Sequence, residues 1–226
     1  MMKNKATFLI LLFSTVMIAQ NMEQASVDVI GEGVVYVVPD EVTIRVQVEN
    51  EGQDPKELKQ TNDRIVTEVL AFIKSQRIDD KDVLTQYIRL TKNYDYQTKA
   101  YKFIANQSIS IRLKDLDKYE TLMSGLLESG INRIEGINFS SSKKDELKSQ
   151  ARVKAMQNAK LKAEEYADVL DQSIGKAIKI SEYQINYPIP RNEGMLKTMS
   201  DGGGQQTISP GEMELKVTVN VKFILN

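Results

Sequence analysis

Hydrophobic and polar residues alternate strictly in three stretches of the chain. Val42, Ile44, Val46 and Val48 alternate with Thr43, Arg45, Gln47 and Glu49. Ile109, Ile111 and Leu113 alternate in the same way with Ser108, Ser110 and Arg112, and Leu215, Val217, Val219, Val221 and Phe223 repeat the period near the C-terminus. A period of two sends successive side chains to opposite faces of a strand, so each stretch predicts a half-buried strand. Half-buried strands belong to a mostly antiparallel sheet with helices on one face. The other face, carrying Thr, Arg, Gln and Lys, is expected to be wet or covered by a second copy of the chain.

Three further stretches have helical spacing. The first opens at Asp54-Pro55-Lys56-Glu57, where Asp54 is a cap, Pro55 suits the first helical position and Glu57 completes a capping box. Its apolar stripe is Leu58, Ile65, Val69, Phe72 and Ile73, and it is expected to end near Gln76. The second opens at Asp115, buries Leu116, Tyr119, Leu122, Met123, Leu126 and Leu127, and stops at Gly130. The third runs over 143–170, with Leu147, Ala151, Ala155, Ala159, Ala163 and Ala167 at four-residue steps. That ladder predicts a helix lying flat on the protein's own sheet, the rival reading being a dimerisation seam. Its lysines, interleaved with Asp145, Glu146, Glu164 and Glu165, read as a solvated face with i,i+4 pairs.

A hairpin is predicted over 83–114, turning near 97–99, with single strands at 132–141 and 174–187. The order strand, helix, strand, strand, helix, strand is that of a split βαβ, ferredoxin-like core, to which the third helix and further strands are appended. The fold class is α+β. Periodicity is lost over 188–206, which holds Pro188, Pro190 and the Gly202-Gly203-Gly204 triplet and reads as a long mobile loop.

The first twenty residues are different in kind. Lys3 and Lys5 precede 13 uncharged residues, 6–18, and Ala19 follows. That run is too short to span a bilayer and matches the apolar core of an export signal. Residues 1–20 are therefore assigned as a cleaved signal and 21–226 as one domain, an uncleaved N-terminal anchor being the alternative. Removing the two lysines leaves 28 basic against 31 acidic side chains, a net charge of −3. A weakly acidic surface argues against nucleic acid as a partner.

The chain has no Cys, His or Trp. Disulfides, thiolate nucleophiles, a Ser-His-Asp triad and imidazole metal sites are excluded with them. No catalytic, cofactor-binding or metal-ligating residue is assigned. Gly31-Glu32-Gly33 lacks the third glycine and the following helix of a nucleotide loop, and reads as a bulge or kink between the first two strands. Asp79, Asp80 and Asp82 lack the pattern of a calcium loop and read as the polar end of a connection. Tyr94, Tyr96 and Tyr101 flank the hairpin turn, where they either cover a sheet face or stack on a sugar or ring ligand.

The order of motifs resembles the SIMPL-domain family, also called the domain of unknown function 541. The resemblance is carried by Val27-Asp28-Val29-Ile30-Gly31-Glu32-Gly33-Val34 with Val38-Pro39-Asp40-Glu41, and by Asp82-Val83-Leu84-Thr85 with Tyr94 and Tyr96. Gly130-Ile131-Asn132-Arg133-Ile134 through Phe139 and Ile208-Ser209-Pro210-Gly211-Glu212 complete it. Val42 stands where Ala is commoner, and Lys102-Phe103 where Gly-Tyr is usual. The resemblance implies export to the periplasm or outer envelope, ring-shaped or channel-like oligomers in some members, and links to oxidative or envelope stress protection. It supplies no active site.

The expected function is that of a non-enzymatic exported protein acting through self-assembly, as a homo-oligomer, or through partner binding, with contact to the envelope or a membrane surface. The rival is a small-molecule or glycan-binding module using the hairpin from Tyr94 to Tyr101. An enzyme of unfamiliar chemistry is the third reading.

Overall fold

A computed structural model describes residues 24–183, 189–190 and 210–226. Residues 1–20, read above as an export signal, and almost all of the segment 188–206 lie outside the described residues. The elements in chain order are β1 (Ser26–Val37), β2 (Glu41–Gly52), α1 (Pro55–Ser75), β3 (Val83–Thr85), β4 (Arg89–Asp95) and β5 (Ala100–Leu113). They continue with α2 (Tyr119–Glu128), β6 (Arg133–Ser140), α3 (Lys144–Asp168), β7 (Ile174–Tyr183), β8 (Ile189–Pro190) and β9 (Met213–Leu225). The chain is α+β and every strand pair is antiparallel.

Where one sheet was expected, there are two. The first has the order β1–β9–β7, with β8 paired to the start of β9. The second has the order β3–β5–β2–β6, with β4 also on β5. The expected strand, helix, strand, strand, helix, strand sequence runs from β2 to β6, its second strand broken into β3 and β4 at 86–88. The chain thus leaves the first sheet after β1, completes the second, and returns through α3, β7 and β9. Local alternation reports only which face of a strand is buried, so it did not reveal this partition.

The second sheet is covered by α1 and α2. Val42, Ile44, Val46 and Val48 of β2 and Ile109, Ile111 and Leu113 of β5 point to one side. There they meet Val66, Val69 and Ile73 of α1 and Leu122, Met123 and Leu126 of α2. Each fully buried aliphatic side chain contributes about 1.5–3 kcal/mol. Asp54 caps α1 by accepting the N–H groups of Lys56 and Glu57 at 2.7 and 3.2 Å. A 3-10 turn (Leu116–Lys118) precedes α2, so the predicted helix starts with a tighter turn. Leu127 is exposed, against expectation. Gly130 ends the segment at φ 104°, where Ile65 of α1 packs over it.

The first sheet is covered by α3, and here the packing is of another kind. Ala151, Ala155, Ala159, Ala163 and Ala167 are all buried, so the ladder packs on the protein's own sheet as expected. Gly31 and Gly33 form no bulge: the β1–β9 register is continuous through both. Their role is to let the helix backbone approach. A Cβ on Gly33 would lie 1.9 Å from the Ala151 carbonyl oxygen, and one on Gly31 2.1 Å from that of Ala155. Four helical residues advance about 6 Å and two strand residues about 6.6 Å. Glycines two apart therefore match alanines four apart.

The same match seals the outer edge of β1. Lys162 and Lys154 donate to the carbonyls of Ile30 and Val34 at 2.9 and 3.0 Å, and Asn158 Oδ1 accepts the Glu32 N–H at 3.0 Å. These side chains stand at four-residue steps and meet backbone groups at two-residue steps. They are the lysine-rich face that read as solvated. Only part of it pairs along the helix, as Lys160 does with Glu164. Arg152 instead reaches Glu182 on β7, at 2.7 Å.

Candidate functional site

The second sheet offers two surfaces of functional interest, on opposite faces. The first is the tip of the β4–β5 ribbon. Tyr94 and Tyr101 are cross-strand partners, and pleating puts Leu90, Lys92 and Tyr94 on the helix side with Tyr101, Phe103 and Ala105. The ring of Tyr94 meets those of Tyr96 and Tyr101 edge-on, with centroids 5.1 and 5.0 Å apart. Lys92 Nζ stands 4.1 Å from the Tyr101 ring centre. Asp95 closes the turn by accepting the N–H groups of Thr98 and Gln97, which hold its carboxyl below the usual range. Lys99 completes the turn at φ 53°. The three tyrosines are exposed, so the ribbon ends in an aromatic cluster with a cation beside it.

The second surface is a recess of about 360 Å³ on the opposite, polar face. Its floor is Gln47 and Ser108, cross-strand partners on β2 and β5 that are buried although no helix covers them. Arg45, Arg89 and Arg133 surround it from three different strands, with Glu49, Glu135, Gln86, Asn106 and Tyr87. Glu135 sits in a register break of β6: Gly136 faces Arg45 and Ile134 faces Val46, leaving Glu135 unpaired. Such a bulge re-aims a side chain. Here the Ser108 hydroxyl donates to Glu135 at 3.1 Å, and the Gln47 amide reaches Ser108 only at 3.5 Å. Arg133 pairs with Glu49 at 3.2 Å. The side chains of Arg45 and Arg89 make no hydrogen bond or ion pair with a described residue.

The polar motif residues prove to be joints of the fold. Asp40 accepts both the N–H and the hydroxyl of Ser142 just before α3, and these bonds hold its carboxyl below the usual range. Asp82 is no mere polar end of a connection. Its buried carboxylate takes Lys114 and both Arg112 Nε and Nη2, and the Lys114 and Arg112 bonds lower its pKa. Asp79 is exposed beside it, bridged to Lys81. Asn132 exchanges two hydrogen bonds with the Glu49 backbone, its side chain standing in for a ladder residue next to β6. Among the described residues no cluster of three or more Asp or Glu side chains is placed to hold a metal ion.

Of the expected site residues, the fold brings Tyr94, Tyr96 and Tyr101 together. Reasoning from the sequence missed the recess. Its signal was the polar half of the alternation in 43–49 and 106–112, read only as a wet or covered face. The bulge that delivers Glu135, and the arrival of Arg89 from a separate short strand, have no signature in spacing.

The joints and the two-sheet frame account for motifs over nearly the whole chain, and comparison with known proteins agrees. Residues 27–223 match SIMPL, described as "Protein of unknown function (DUF541)", and the chain belongs to that family. It is similar to the "Uncharacterized protein YggE" of Escherichia coli (strain K12), 27% identical over 201 residues, covering 86% of this chain and 81% of the relative. It is similar also to the "26 kDa periplasmic immunogenic protein" of Brucella melitensis, 25% identical over 212 residues, covering 89% and 85%. That relative is named as periplasmic. None of the described helices is long and apolar enough to cross a membrane.

Proposed function

We propose that the chain is exported to the periplasm or outer envelope and acts there without catalysis, by assembling with copies of itself or holding a partner. Export is supported by the apolar leader at 6–18 and by the name of the Brucella relative. The observation that carries the contact role is the aromatic tip of the β4–β5 ribbon. Exposed, clustered tyrosines supply large contact area at small entropic cost and are enriched where proteins meet. The outer strands of the two sheets, unpaired on one side among the described residues, add to this reading. β1 is sealed by α3, whereas β7 and β6 expose Ile178, Ile180, Ile134 and Ile137. A part in envelope or oxidative stress protection would follow from such an assembly rather than from thiol chemistry, which the chain lacks.

The test is light scattering on the mature chain after size exclusion, beside a Tyr94→Ser, Tyr96→Ser, Tyr101→Ser variant. An oligomer that the variant reduces to monomers, with unchanged circular dichroism, is the expected result. A strictly monomeric wild type at micromolar concentration sinks the assembly half. An unaltered oligomer in the variant removes the ribbon from the contact.

A further inference from the structure

We infer that the recess on the polar face of the second sheet is a binding site for a hydroxylated carboxylate, of the class of uronic and other acidic sugars. It is separate from the tyrosine ribbon, which lies on the other face of the same sheet. The argument begins with charge. Three guanidiniums against two carboxylates leave the site one net positive charge. Arg133 is engaged by Glu49, but Arg45 and Arg89 have no partner among the described residues. Guanidinium forks match a carboxylate in two parallel hydrogen bonds. Glu49 and Glu135 on the rim repel a doubly charged phosphate, and they accept from hydroxyl groups.

The floor supplies the rest of the recognition. Gln47 is buried, yet its amide makes one bond, at the outer limit of hydrogen-bond distance, and so retains donor and acceptor capacity. The rest of the amide opens to the recess, where it is available to a ligand. Asn106 and Gln86 add two more amides at the wall. A row of side chains that both donate and accept suits sugar hydroxyls, which do the same. Tyr87 is 98% exposed on the rim, where its ring offers a face to the C–H side of a pyranose. The volume is at the small end of ligand sites, enough for a monosaccharide or a short acidic fragment.

The site is built by the fold rather than by a loop. Its arginines come from β2, β4 and β6, and the bulge at Glu135 opens the wall, with Gly136 beside Arg45 leaving a gap. A Cβ on Gly136 would meet only Asn138 Nδ2, at 3.8 Å.

The experiment titrates the mature chain with glucuronate, glucose, inorganic phosphate and acetate, following the side-chain amide resonances of Gln47, Gln86 and Asn106 by NMR. Saturable binding of glucuronate with shifts at these amides is expected, with glucose, phosphate and acetate each weaker. Arg45→Gln and Arg89→Gln should each weaken glucuronate binding by about tenfold or more, with unchanged thermal midpoints. If either variant fails to fold, the wild-type amide shifts and the ranking of the four probes decide the matter alone. Phosphate binding as well as glucuronate overturns the acidic-sugar assignment in favour of a general anion site. Absence of saturation by any probe below about 10 mM overturns the site itself. So does glucuronate binding that survives in both folded variants.

Discussion

The two sheets solve one problem, joining helices to a strand surface, in opposite ways. In the second sheet branched side chains from β2, β5, α1 and α2 interdigitate, and the layers stand apart by the thickness of those side chains. In the first, beside valines and Phe223, one line of contact has its side chains nearly removed: Gly31 and Gly33 face Ala151, Ala155 and Ala159, and backbone meets backbone there. The first kind of core has rotamers with which to adapt but dislikes voids. The second tolerates no added atom. That contrast teaches that a core of small residues can be the more exacting one, because it has no rotamers with which to adapt.

The contrast breaks most visibly at the glycines. Gly33→Val should cost about 4 kcal/mol or more, or prevent folding, because the Cβ would run into the backbone of Ala151 and Ala155, which no rotamer can move aside. The matched change in the second sheet, Gly136→Val, should cost less than about 1 kcal/mol. Urea unfolding of both variants tests the pair, and near-equal midpoints would end the close-packing account. Next in size is Ile44→Ala, expected to cost about 2–5 kcal/mol through its cavity. Ala155→Gly in the first sheet should cost only about 1 kcal/mol, the ordinary helix propensity difference. A larger loss for Ala155→Gly than for Ile44→Ala would reverse the comparison.

Smaller effects come from the acidic joints. Asp40, Asp82 and Glu182 all have lowered folded pKa values, through Ser142, Lys114 and Arg152 respectively. A lowered folded value means the contribution is fully present above the unfolded carboxylate pKa of about 4 and is lost as pH falls through the folded one. Stability should therefore decline below about pH 4. Asp82→Asn, whose carboxylate is 3% exposed, should cost about 1–3 kcal/mol at neutral pH and flatten that decline. A variant with the wild-type acid profile would show that Asp82 is not among its causes. The smallest thermal effect belongs to the β1 edge. Lys154→Ala with Asn158→Ala should change stability by less than about 1 kcal/mol, yet unblock backbone groups and promote concentration-dependent association. Light scattering reads that directly, and a variant as monodisperse as wild type would mean the capping is incidental.

Much of the fold was legible because its elements are locally consistent. Asp54 caps α1, Gly130 ends the second helical segment, and the valines of β2 alternate without exception. What escaped were facts about partners far apart in sequence. Nothing near Gly31 announces that Ala155 will lie against it, so in sequence a close approach looks like a bulge or kink. Nothing near Asp82 announces Arg112. The ribbon was found because three tyrosines sit within eight residues of one another. The recess was not, since its arginines come from strands separated by helices and its carboxylate from a bulge.

The route of the chain also sets an order of events. All of the second sheet lies within 41–140, so it is complete once β6 has emerged. β1 is made first, yet its ladder partner is β9, the last strand, and Ser26 must wait for Ile224. Until then it lacks its ladder hydrogen bonds, although the helix that seals its edge is already made. Nascent chains in this interval carry a finished half and an unpaired strand bearing Val27, Val29, Val34 and Val35. Such a strand is a target for aggregation and for any holdase that recognises extended apolar segments. The earliest residues of the described fold are thus the last to close, and the first sheet is complete only once β9 has emerged.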